Sequence, residues 1–180
     1  VPVIAPARLG MRVVAVVAAA ALTALAARVA VPLPGIPVPF TLQPVAVLLS
    51  GVLLGAAGGM SSQLLYLAVG MMGVPVFAAG GGAAYLLGPT GGYLLAFPLA
   101  AWVAGKVASR LPGAIGIAFG ALLGLVIIHL GGLSWLAALS GREGAAAVGL
   151  APFFVGDLLK IALVTLVGLG AGSWTHRARD

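Results

Sequence analysis

Apolar residues run along this chain in long blocks, broken by proline, glycine and a few charges. The blocks cover about 11–31, 43–57, 60–73, 92–110, 113–138 and 150–173. A membrane-crossing helix needs about 20 predominantly apolar residues, and in lipid only helices and closed barrels satisfy their own backbone. A barrel would need polar residues alternating along each strand to face its lumen, and these blocks lack them. The pattern therefore predicts an all-α integral membrane protein, a single membrane domain over 1–180 with six transmembrane helices. The first block is longer than the apolar core of a signal peptide and further blocks follow it, so it reads as a retained helix. Between the first two blocks, Pro32-Leu-Pro-Gly-Ile-Pro-Val-Pro39 cannot be helical and reads as extended. Gly58-Gly59 reads as the joint between the second and third blocks, and a glycine-rich connection covers 74–91.

Charge sharpens this picture. The chain is 62% hydrophobic and only 7% charged, against about 25% charged residues in a soluble domain. Arg8, Arg12, Lys106, Arg110, Arg177 and Arg179 fall at one set of block ends, while Arg28 and Arg142 fall at the other. Positively charged ends stay in the cytoplasm, so both termini are expected to be cytoplasmic and the chain multi-pass in the inner (plasma) membrane. The net charge of +6 then reports orientation in the bilayer, not nucleic-acid binding. With no cysteine, disulfides, thiol catalysis and thiolate-bound metals are excluded.

Asp157 and Lys160 are the two charges inside the last apolar block. Three residues apart, they share one helix face. A charge there costs at least about 2.5–3.5 kcal/mol, so it needs a partner or a wet cavity. As an ion bridge alone it would stabilise poorly, which points to a ligand. With the orientation above, Asp157, Lys160, Gln43 and the glycine-rich connection come to the same outer depth. Tyr85 and Tyr93 flank that connection, and backbone at Gly81 and Gly82 can approach a small molecule closely. One cation, one anion, Gln43, Gln63 and the tyrosines suit a compact ligand with an anionic group and a polar ring. Lys160 would meet the anion, and Asp157 would accept from ring N–H donors.

Other chemistry is thin. The acidic residues are Glu143, Asp157 and Asp180, so Asp157 has no second carboxylate within the spans. His129 stands by itself in the fifth block and reads as a packing residue; nothing in the sequence brings it to Asp157. Two histidines without cysteine are too few for a typical zinc site. The glycine clusters lack the lysine of a phosphate-binding loop, so no nucleotide is hydrolysed by this chain, and no cofactor is implied. Small residues recur at four-residue spacing in Gly51, Gly55 and Gly59, in Gly116, Gly120 and Gly124, in Gly168 and Gly172, and in Ala20 and Ala24. Such rows allow close helix packing, within the bundle or against a partner helix.

Several runs resemble the BioY family of biotin-capturing S components of energy-coupling factor (ECF) transporters. They are Pro37-Val-Pro-Phe-Thr-Leu-Gln43, Gly73-Val-Pro-Val-Phe-Ala78, Gly88-Pro-Thr-Gly-Gly-Tyr93 and Pro152-Phe-Phe-Val-Gly-Asp157-Leu-Leu-Lys160. The resemblance implies a six-helix bundle that binds biotin on its outer side without chemical turnover. It implies a transmembrane coupling protein and ATPase subunits as partners, although some members occur without dedicated ones. It carries ligand roles to Asp157, Lys160, Gln43 and Tyr93, and coupling-protein docking to Ala20 and Ala24 of the first helix. One departure stands at Ala79-Gly80-Gly81-Gly82, where many relatives have a bulkier or polar residue before the glycines. Some relatives also carry an arginine near the position of Pro89, which leaves more of the ligand's carboxylate to Lys160. Three other readings stay open: an S component for another vitamin, a solo secondary transporter of a small anionic solute, and a small membrane enzyme.

Overall fold

Helices dominate the computed structural model, which describes residues 9–34, 37–140 and 153–177. They are α1 (Leu9–Ala26), α2 (Gln43–Met71), α3 (Ala83–Leu86), α4 (Gly91–Ala108), α5 (Gly113–Ser140) and α6 (Phe154–Arg177). Two short strands, β1 (Ala30–Val31) and β2 (Phe40–Thr41), pair antiparallel, with Ala30 opposite Thr41 and Val31 opposite Phe40. They bracket the proline-rich link, which is not helical where it is described. Four helices, α1, α2, α4 and α5, are long and apolar enough to cross a membrane. Helix α6 has 24 residues, about 36 Å at 1.5 Å per residue, which also suffices by length. The expectations for Arg8, Arg142, Glu143, Arg179, Asp180 and most of the 139–149 loop fall outside the described residues.

Helix α2 corrects one expectation. It is not straight: Gly55 has φ 77° and ψ 172°, a conformation open to glycine alone. The chain folds back there into two arms. Gln43 of the first arm bonds the hydroxyl of Tyr66 in the second, 23 positions away, which no straight helix allows. The joint is therefore Gly55, not Gly58-Gly59, which lie inside the second arm. Nor do Gly51, Gly55 and Gly59 form a row on one helix. A side chain on Gly59 would overlap the backbone of Gly51, so these two face each other across the arms. Gly105 of α4 closes on the same corner, against Gly51 and Gly55.

The arms of α2 form the centre of the bundle. Helices α1, α4 and α6 pack against them, and α5 packs between α4 and α6. Gly120 approaches the backbone of Ala104, and Gly124 meets Leu48 and Ala100, so these glycines serve packing within the bundle. Leu48, Val47, Ala100, Ala101, Ala104, Ala121 and Val164 are fully or almost fully buried at this core. The outer face of α1 stays apolar and exposed at Val14, Val17, Leu22 and Leu25. Such a face suits lipid. At one end of the bundle, the Arg28 guanidinium donates to the carbonyl of Pro75 and so ties the exit of α1 to the loop after α2. Lys106, whose ammonium sits 6.0 Å from the Trp102 ring centroid, and Arg110 lie at the opposite end of α4.

Candidate ligand-binding site

The first turns of α6 carry the charged centre. Asp157 stands in the first turn, where the helix dipole favours a carboxylate. Lys160 Nζ donates to Asp157 Oδ1 at 2.9 Å, the pairing that their i,i+3 spacing allows. The carboxylate has a second partner: His129 Nε2 of α5 lies 2.5 Å from Asp157 Oδ2. Lys160 is only 4% exposed. A charge so deep needs compensation, and aromatic rings add to it. Its Nζ lies 4.2 Å from the Phe40 ring centroid and 5.9 Å from that of Phe153. These two rings are nearly parallel, 6.1 Å apart at 10°. Strand β2 presents Phe40, and Phe153 immediately precedes α6, so the β1–β2 pair holds one wall of the lysine's surroundings.

The opposite wall comes from both arms of α2 and from the loops beyond. Gln43 Nε2 donates to the Tyr66 hydroxyl at 2.7 Å, and that hydroxyl donates to the Val76 carbonyl at 3.1 Å. The Thr41 hydroxyl donates to Gln43 Oε1 at 3.3 Å. The amide is thereby fixed at the first turn of α2, where Pro44 needs no hydrogen-bond acceptor for its nitrogen. Tyr85 of α3 stacks on Phe77, with centroids 5.1 Å apart. Tyr93 of α4 sets its ring edge-on to His129 at 6.1 Å and lies against Gly132, where a side chain would collide with it.

These groups enclose one cleft, open at its mouth. Gln43, Tyr85, Tyr93, Asp157 and Lys160 all line it, and apolar walls come from Leu94, Phe97, Leu125 and Ile128. Five expected residues from separate stretches of sequence thus share one cavity. The other expected residues lie elsewhere. Gly81 is pressed against the carbonyl of Val74, and Gly82, with φ 94°, starts α3 while its N–H bonds Gly70 at 2.7 Å; neither lines the cleft. Ala20 is buried in the core and Ala24 is packed partly buried against it. Gln63 is fully buried away from the cleft, its amide nitrogen 3.1–3.2 Å from the hydroxyls of Thr23, Ser50 and Ser62.

Sequence reasoning missed His129 as a member of the site, since its partner lies 28 positions away on another helix. It also gave no role to Phe40 and Phe153, whose rings stack on each other beside Lys160. A hydroxyl on the free edge of His129 would suggest nucleophilic chemistry. Among the described residues its Nδ1 has no hydrogen-bond partner.

Residues 6–177 match the BioY family. The chain belongs to the BioY family. Named relatives include a probable biotin transporter BioY from Pyrococcus horikoshii, 40% identical over 148 residues, which covers 82% of this chain and 87% of that one. A biotin transporter BioY from Thermotoga maritima is 39% identical over 151 residues, 83% of this chain and 88% of the relative. One from Rhodobacter capsulatus is 40% identical over 164 residues, 83% and 86% of the two chains. In structure, the chain is similar to the S-component for biotin from an ECF-type ABC transporter, with a TM-score of 0.71 over 96% of this chain and 94% of that one. At 24% identity that likeness speaks for the fold. BioY is a family of transporters, not of enzymes.

Proposed function

We propose that this BioY-family chain captures biotin in the cleft between α2, α4, α5 and α6 and serves in its uptake as the S component of an ECF-type transporter. One observation carries the reading. In a fold shared with a biotin S-component, five polar or aromatic groups picked out from sequence, Gln43, Tyr85, Tyr93, Asp157 and Lys160, line a single cleft. Because Lys160 Nζ and Asp157 Oδ1 are 2.9 Å apart, both meet one end of the ligand in this reading: Asp157 accepts from a ureido N–H and Lys160 donates to the ureido carbonyl, not to the distant carboxylate that the sequence suggested. The apolar walls of Leu94, Phe97, Leu125 and Ile128 take the rest of the ligand.

The two arms of α2 count as two spans, which with α1, α4, α5 and α6 makes six. The cleft lies at the Arg28 end of the bundle, away from Arg12, Lys106 and Arg110. By the positive-inside rule it opens outward, with both termini in the cytoplasm of a cell whose plasma membrane holds the chain. Energy then comes from other subunits, a transmembrane coupling protein and ATPases; Ala20, buried in the core, and Ala24, packed against it, serve the bundle and are not proposed as the docking positions. The test is uptake of labelled biotin by cells without biotin uptake of their own. Expression with the coupling and ATPase subunits is expected to give uptake that Lys160→Ala abolishes. Absence of uptake by well-expressed wild-type complex would overturn the reading.

A further inference from the structure

We propose that His129 is a positioning residue of the ligand site: it fixes the Asp157 carboxylate in the orientation in which the ligand's N–H donors meet it. The proposal rests on the capture reading above. An ionised carboxylate only accepts, so the imidazole nitrogen 2.5 Å from Asp157 Oδ2, Nε2, carries the hydrogen. Lys160 takes the other oxygen at 2.9 Å. A carboxylate offers about four lone-pair positions. With one on each oxygen taken by the protein, one on each remains, open to an N–H donor of the ligand.

The two protein donors are not equivalent. Lys160 stands on the same helix as Asp157 and moves with it. His129 stands on α5 and ties the carboxylate to a second helix. The imidazole is itself braced, edge-on to Tyr93 at 6.1 Å and tilted against Phe153 at 6.0 Å. Its Nδ1 is buried and bonded to nothing among the described residues, so the contact to Asp157 is the hydrogen bond that orients the ring. Packing alone would be served by any ring of that size. A donor aimed at the carboxylate on the cleft wall implies preorganisation, which spares the ligand the cost of ordering its acceptor.

The discriminating pair of variants is His129→Gln, which keeps an N–H donor at similar reach, and His129→Phe, which keeps the ring and loses the donor. Titrated with biotin after a check that both elute as folded protein, His129→Phe is expected to bind about ten- to a hundredfold more weakly, the scale of a hydrogen bond to a charged group. His129→Gln is expected within about threefold of wild type, a shift well below that scale. Equal affinity of wild type and His129→Phe, or an equal loss in both variants, would overturn the role. A second readout needs no ligand. The side-chain ¹⁵N spectrum of His129 should report the Nε2–H tautomer and change in Asp157→Asn; a spectrum that Asp157→Asn leaves untouched would overturn the pairing. If folded wild type with the expected tautomer binds no biotin, the capture reading fails and this role with it. That result is distinct from failure of the role alone, in which wild type and His129→Phe both bind.

Discussion

Two buried glutamines on the facing arms of α2 do different work. Gln43 lines the cleft and holds Tyr66. Gln63 links α1 to α2 through the Thr23 hydroxyl and meets Ser50 and Ser62 within α2; each of these hydroxyls already donates to its own helix, at Ala19, Val47 and Gly59. Polar bonds between membrane helices average about 0.6 kcal/mol and reach about 1.7. Gln63→Leu is therefore expected to lower stability by about 1 kcal/mol and leave biotin affinity nearly unchanged. Gln43→Leu is expected to weaken biotin binding about tenfold or more, because the Tyr66 hydroxyl and Thr41 lose their partner at the cleft wall. Paired thermal unfolding and biotin titration check both; loss of affinity in Gln63→Leu alone would contradict the division. At this scale the sequence betrays a residue when its chemistry clashes with its surroundings. Asp157 and Lys160 stand out within an apolar block for that reason. Gln63 stands out equally and belongs to the packing, because what separates ligand contact from helix clamp is which face meets which neighbour. His129 needed α5 laid beside α6, and no local spacing encodes that.

Elements were legible where composition alone decides them. Apolar length marked the helices, and proline marked the link that β1 and β2 bracket. The reversal within α2 was misplaced by a few residues, since glycine marks both turns and close approaches, and Gly55, Gly58 and Gly59 are alike as letters. The backbone separates them. Gly55 carries the positive φ of the turn, while Gly59 makes room for the opposite arm at Gly51. Any side chain at Gly55 meets a conformation that costs about 1–3 kcal/mol. Gly55→Ala is thus expected to lower the thermal unfolding midpoint in detergent, with biotin affinity in the surviving folded protein close to wild type, since the turn lies at the far end of both arms from Gln43. An unchanged midpoint would contradict the assignment of the turn to Gly55.

At the scale of the described bundle, the residues of the candidate site gather at one end. The cleft, Arg28 and the loop that bonds it lie together, while the turn of α2, Gly105 and Lys106 lie at the other end, beneath a tightly packed core of small residues. That division suits a capture protein, with a rigid base and a polar mouth assembled from several chain segments. The central claim is that Asp157 and Lys160 form the heart of a biotin site, and calorimetric titration of the detergent-purified chain with biotin tests it most directly. Wild type is expected to bind biotin with one-to-one stoichiometry. Asp157→Ala and Lys160→Ala, each eluting as folded protein, are expected to lose about tenfold or more in affinity, as charged hydrogen bonds are removed. Folded wild type that gives no binding isotherm with biotin, or variants that bind it as well as wild type does, would contradict the account.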